Sequence, residues 1–226
     1  MYTIEKNITR LNNNQPTFFL EQNEQNDLKR KLGKAKYNIF YPNSECEKVI
    51  FYTDRIPEVV LYEIKCNNEL RHQDILGTMY SLNISKEMYG DIILDNGHYY
   101  IYILKLFQNY FETNFTKVRN ASVELVQLDL DFLSHYKRKY NELELIVSSE
   151  RIDTVLAHIC NCSRNMIKEK VNSKEILLNN QILKNLSNTL KENDTFSIRK
   201  IGKFKYIGVI KTTKSNNYIV RVLQYV

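Results

Sequence analysis

Arg151 and Asp153 stand two residues apart, Ser163 and Arg164 follow, then Lys168, and Asn179 and Asp194 lie further along. Residues four apart share a helical face, so Arg164 and Lys168 form a paired cationic surface, with Lys170 beside it. A serine just ahead of a helix caps it by accepting an orphan backbone N–H. A helix start fitted with cations holds phosphate, because its unbonded N–H groups and the positive end of its dipole meet the same anion. The chemistry on offer is anion binding. The other candidate groups are weaker. His72 and Asp74 sit together at a helix start, where capping the helix is their better use. His98, His135 and His158 have no partner at catalytic or metal-ligand spacing. The six glycines contain no G-x-G, which a nucleotide-binding turn would need. Cys160 and Cys162 lack the second pair a zinc site requires, so free thiols are expected.

Several elements must position the cationic residues. Ile152, Val155, Leu156 and Ile159 fall at i, i+3, i+4 and i+7, an amphipathic helix that Arg151 enters and whose first turn holds Asp153. Met166, Ile167 and Val171 give the helix after Ser163 an apolar stripe. Ile176–Leu178 reads as a strand, Asn179-Asn180 as a turn, and Thr195–Ile198 as another strand. A basic hairpin follows with Arg199, Lys200, Lys203, Lys205 and Lys214.

Charge locates the activity. Residues 150–226 hold 14 Lys/Arg against 6 Asp/Glu, a net of +8, while residues 1–149 hold 18 against 20, a net of −2. A basic module on a neutral body points toward a polyanion. The apolar fraction, 43%, predicts a packed core. No window resembles a membrane span. The opening Met1–Lys6 lacks the apolar stretch of a signal peptide, so a cytoplasmic protein is expected.

Three divisions are expected. Residues 1–55 form a small α/β segment, with helical character at 24–34 and short strands near 37–41 and 49–52. Residues 56–149 form a middle domain plus a connector. Its order is strand 59–64, helix 72–82, strand 91–94, an Asp95-Asn96-Gly97 turn, strand 99–104, helix 106–115 and strand 121–128. That is the βαββαβ order of ferredoxin-like domains, shared by RNA-recognition modules, though order alone implies no function. With 6 basic and 10 acidic residues, 56–130 is a poor phosphate-tracking surface, and its tyrosines read as packing residues. In the connector, Tyr136–Tyr140 is a basic-aromatic cluster able either to touch RNA or to form a solvated linker. Residues 150–226 form the basic module.

The run Arg151-Ile-Asp153, Ser163-Arg164, Ile176-Leu-Leu-Asn179 and Leu190-Lys-Glu-Asn-Asp194 resembles the S4 (αL) RNA-binding domain over about 50 residues. Lys174, Asn180 and Asn193 stand where that pattern usually has glycine. The resemblance extends outward to the YlmH-type S4 proteins of bacteria. It is carried by Thr17–Leu20, Glu45-Cys-Glu-Lys48, His72–Gly77, Leu82-Asn-Ile84, Gly90-Asp-Ile92, Ser197–Phe204 and Thr213-Lys214. Tyr41-Pro42-Asn43 replaces an expected Gly-Gly-Tyr.

This resemblance implies an α+β chain and RNA contacts at Arg151, Ser163, Arg164 and Asn179, with Lys168 and Lys174 as neighbours. It implies a non-enzymatic binder of large-subunit rRNA, with tRNA or peptidyl-tRNA as a further partner, acting in ribosome-associated quality control. No cofactor, metal or small-molecule substrate is expected, and a monomer is. Two alternatives stay open. One is an S4-bearing RNA-modifying enzyme such as a pseudouridine synthase, although the only Arg-x-Asp run of that type is Arg151–Asp153. The other is a cell-division-linked protein-interaction factor using the acidic middle domain.

Overall fold

Val60, Tyr62 and Ile64 alternate with Val59, Leu61 and Glu63 along one strand, and all six are buried. A strand buried on both faces needs a cover on each side of its sheet. The computed structural model describes residues 2–226, with side chains from Ile4 onward; Met1 of the opening segment lies outside the described residues. The chain divides into two compact units, Met1–Lys137 and Arg138–Val226.

In the first unit, helices α1 (Tyr2–Asn12) and α2 (Gln22–Leu32) precede an antiparallel pair, β1 (Asn38–Phe40) and β2 (Ile50–Tyr52). Then come β3 (Val59–Cys66), α3 (His72–Ser81), β4 (Tyr89–Asp95), β5 (His98–Leu104), α4 (Gln108–Asn114), β6 (Lys117–Val118) and β7 (Ala121–Leu128). The sheet order is β4-β5-β3-β7-β6, and every pairing is antiparallel. Ile75 and Met79 of α3 and Phe111 of α4 pack on one face, against Val60, Tyr62, Ile64, Ile101 and Ile103. Phe18, Phe19 and Ile50 cover the other face, packing with Leu61, Tyr100, Tyr102, Leu104, Leu133 and Tyr136. The tyrosines of β5 are packing residues, as expected: Tyr99, Tyr100 and Tyr102 are all buried.

Two runs far apart in sequence join this cover to the sheet. The Asp91 carboxylate accepts the N–H groups of Glu47 and Lys48. The Lys48 ammonium donates to the carbonyls of Lys86 and Tyr89, at 2.9 and 3.0 Å. Burial pushes the Lys48 ammonium down to about 8, against the pull of Asp91. Beside it, a Cβ on Gly90 would lie 3.0 Å from the Phe19 ring and 3.1 Å from Tyr102 Cβ, so glycine permits the close approach. Asn43, in the run lacking the expected glycines, is buried and ties its turn to Leu133 O and Glu45 N.

The second unit comprises β8 (Tyr140–Val147), α5 (Ile152–Ile159), α6 (Arg164–Asn172), β9 (Ile176–Leu178), β10 (Gln181–Ile182), β11 (Thr195–Ile198), β12 (Gly202–Thr212) and β13 (Tyr218–Tyr225). They form an antiparallel sheet ordered β10-β9-β11-β12-β13-β8. Both helices pack on one face: Ile152, Val155, Leu156, Ile167 and Val171 meet Phe196, Ile198, Phe204, Tyr206, Val220 and Val222. The fold is thus mixed α and β throughout. Among the described residues no helix is long and apolar enough to cross a membrane.

The division at 137/138 differs from the sequence boundaries at 55/56 and 149/150. The N-terminal segment shares a core with the middle sheet. Residues 140–147 pair with β13 at eight successive positions and so belong to the second unit.

Candidate nucleic-acid interface

Two cations of the second unit, Arg151 and Arg164, meet in a hydrogen-bonded joint between the starts of α5 and α6. Arg151 is extended at the entry to α5 and grips Asp153 with two bonds, Nε to Oδ1 at 3.1 Å and Nη2 to Oδ2 at 2.9 Å. Asp153 is buried, and the Arg151 guanidinium holds its carboxyl below the usual carboxylate range while burial opposes that shift. The same bond pushes the Arg151 guanidinium further up from its ordinary value. Thr154, also buried, donates weakly to Asp153 Oδ1 at 3.5 Å and accepts from Arg164 Nη2. Its carbonyl meets His158 Nδ1 at 2.9 Å. Arg164 opens α6 behind its cap, Ser163, whose Oγ accepts the Met166 N–H at 3.3 Å. Lys168 follows one turn later and is exposed, as is Arg164. The joint therefore sets Arg164 at the first turn of a capped helix, where N–H groups and dipole favour an anion.

The other sequence-derived candidates divide into groups. Lys170 is half-buried in an ion pair with Glu175 at 3.2 Å, so its charge is spent locally. Asn179 serves its turn: Nδ2 donates to Asp194 Oδ1 at 2.8 Å, and Oδ1 accepts the Thr195 N–H at 2.9 Å. That explains the Asn179–Asp194 spacing as turn geometry. Lys174 is exposed just past α6. Arg199 and Lys200 are exposed in the turn between β11 and β12, and Lys214 is exposed in the turn between β12 and β13. Lys203 and Lys205 lie on β12, on the sheet face away from the helices, because they alternate with the core residues Phe204 and Tyr206.

The three positions without the expected glycine all have positive φ: Lys174 at 58°, Asn180 at 61° and Asn193 at 68°. Asparagine tolerates this region. Lys174 does not, yet it occupies the turn that closes α6: its N–H bonds Val171 O and the Glu175 N–H bonds Lys170 O, both at 2.9 Å. Lys174→Gly should therefore stabilise the second unit by about 1 kcal/mol, read as a rise in thermal midpoint. If Lys174 also meets phosphate, the same variant binds RNA more weakly while being more stable.

Sequence reasoning missed Thr154, the shared link between Asp153 and Arg164; a threonine inside a helix gives no such signal. It also missed that His98 has a partner in space. Its Nδ1 lies 2.8 Å from Glu63 Oε1, across the β3–β5 pair. His98 lines a cleft at the sheet end together with Lys65, Cys66, Arg71 and Tyr99. At α3, the Asp74 carboxylate accepts the Arg71 N–H and the Arg71 guanidinium, the capping use expected of it. None of the four cysteines is in a disulfide.

The chain is similar to known proteins in family model, sequence and structure. Residues 57–131 match a family model described as "Putative RNA-binding domain in YlmH". The chain is 23% identical over 217 residues to ribosome-associated protein quality control protein P2 of Bacillus subtilis, covering 90% of this chain and 84% of that one. Among solved structures it is similar to cell division protein ylmH from Streptococcus pneumoniae, with a TM-score of 0.45 and 21% identity, over 56% of this chain and 87% of that one. Through the matched module at 57–131 and the match to the Bacillus protein over 90% of the chain, this chain is similar to the YlmH-type proteins.

Proposed function

We propose that this chain is a cytoplasmic, non-enzymatic RNA-binding protein that docks on the large ribosomal subunit through the α5–α6 face of its second unit. The observation that carries this reading is the joint Arg151–Asp153–Thr154–Arg164. It spends buried polar groups on fixing one guanidinium at the start of a capped helix, with an exposed Lys168 one turn on. A preset array of cations and backbone donors suits the fixed phosphate spacing of folded RNA. The two helices, the turns at positive φ and the following strands support an S4-type reading of this unit. The name of the Bacillus relative supports a place in ribosome-associated protein quality control, and tRNA is proposed as a second RNA partner.

The strand order of the first unit supports a ferredoxin-like reading of 59–128. The sheet face that RNA-recognition modules use for base stacking is covered here by Phe18, Phe19, Ile50, Leu133 and Tyr136. The matched module at 57–131 is also the acidic part of the chain. Phosphate binding is therefore assigned to the second unit.

Sedimentation through sucrose gradients tests the function. Tagged protein should travel with large subunits at low salt and leave them as salt rises. With six or more phosphate contacts, affinity should fall on the order of 10³-fold between low and moderate salt. Co-migration that is indifferent to salt would instead favour a protein–protein attachment.

A further inference from the structure

Tyr225 on β13 has two cations against its ring. Lys203 Nζ lies 4.7 Å from the ring centroid, and the Arg138 guanidinium carbon lies 5.4 Å from it. Tyr140 meets the same ring edge-on at 5.1 Å, directly across the β8–β13 pair. Lys205, opposite Leu223, extends the cationic row along the sheet. Phe204, Tyr206, Val220 and Val222 fill the core beneath α5 and α6. Strand alternation therefore sends Lys203, Lys205, Leu223 and Tyr225 to the opposite face. This cluster and the Arg164–Lys168 pair lie on two different sides of one sheet.

Glu142 and Glu144 lie 3.5 and 3.2 Å from the Arg221 guanidinium, so that cation offsets them. The basic-aromatic run seen in the sequence is thereby divided. Tyr136 is buried in the first unit and Lys137 pairs there with Glu45 at 3.1 Å, while Arg138 and Tyr140 join the second unit's sheet.

We infer that Arg138, Lys203 and Lys205, arranged around Tyr225, form a second RNA-contact site that takes a single-stranded segment. The inference rests on the RNA-binding reading of the second unit and extends it to the other sheet face. Cations interleaved with aromatic rings on a sheet face suit a single strand, whose phosphates meet ammonium and guanidinium groups while its bases stack on planar surfaces, including a guanidinium. Tyr225 acts as a positioning residue, because the negative face of its ring holds both cations in place.

The test uses the full chain and a fluorescein-labelled twelve-nucleotide oligouridine, titrated by anisotropy at several salt concentrations. The wild type should bind with a clear salt dependence. Arg138→Ala combined with Lys203→Ala should weaken binding at least tenfold and reduce the log–log salt slope by about 1.4, the share of two single-strand phosphate contacts. Tyr225→Leu should weaken it by about threefold or more, and Tyr225→Phe, which keeps the ring, should restore wild-type affinity. Melting curves confirm that each variant is folded. Wild-type affinity in the Arg138/Lys203 variant, or no oligonucleotide binding by the wild type at low salt, overturns the inference. The helix-face reading fails separately: Arg164→Ala with Lys168→Ala should lose large subunits yet keep the oligonucleotide within about threefold. Loss of the oligonucleotide in that variant alone also overturns the sheet-face site.

Discussion

Replacing Arg164 and Lys168 together by alanine should abolish co-sedimentation with large ribosomal subunits at moderate salt and leave the fold intact. Both side chains are exposed and contribute nothing to the core of the second unit. The cap on α6 comes from Ser163, which the variant keeps. Charge-assisted bonds to phosphate are among the stronger polar contacts, so losing two should weaken binding on the order of 100-fold. The remaining affinity should also depend less on salt, with the log–log slope reduced by roughly two. Gradient sedimentation of the two proteins across a salt series reads both effects. The single Lys168→Ala should fall between, because Arg164 alone is anchored through Thr154.

Asp153→Ala separates placement of charge from its amount. The substitution removes a carboxylate and makes the unit more basic, so attraction by net charge alone predicts tighter RNA binding. If the joint positions Arg151 and Arg164, binding should instead weaken severalfold, because Arg151 loses both of its bonds and Thr154 loses a neighbour. The variant should also cost about 1–2 kcal/mol, at the lower end for a buried, bonded carboxylate because its partner reaches solvent. For a unit of this size that is a drop of roughly 5–15 °C in thermal midpoint. The pH dependence has a definite sign. Asp153 is depressed below its ordinary value of 3.8, chiefly by the Arg151 bond. Its stabilisation is therefore complete above about pH 4 and lost as pH falls through the depressed value. Wild type and variant should differ most near neutrality and draw together as pH falls below the ordinary carboxylate range, which denaturant titrations at pH 7 and at successively lower pH would show.

The legible parts of this chain were those where one local period decides. The 3.6 period of Ile152–Ile159 and the Asp95-Asn96-Gly97 turn appear in the structure where the sequence places them. Ser163 was readable as a cap because capping is a rule about one residue and the turn after it. The mixture of strands and helices over 59–128 was readable from local patterns too. What escaped was set by contacts distant in sequence. Nothing local to Tyr140–Val147 says that its partner is β13, so that strand was counted with the middle segment. The cover over Tyr100 and Tyr102 is built by Phe18, Phe19 and Leu133, whose spacing carries no hint of a shared core. At the candidate site, residue type identified the cations but not their engagement. Lys170 and Asn179 match the binding pattern by position, yet one is paired to Glu175 and the other holds its own turn. Lys203 and Lys205 were readable as basic residues, but their face depended on strand register, and their neighbour Tyr225 is supplied by another strand.

On the reading proposed above, RNA is held by the second unit rather than by the module at 57–131. Ultraviolet cross-linking of the full chain to large subunits, followed by mass spectrometry of nucleotide-bearing peptides, tests it most directly. Cross-linked nucleotides should appear on peptides spanning 151–174 and be lost in the Arg164→Ala/Lys168→Ala variant. Nucleotides confined to peptides from 57–131, unchanged in that variant, would contradict it.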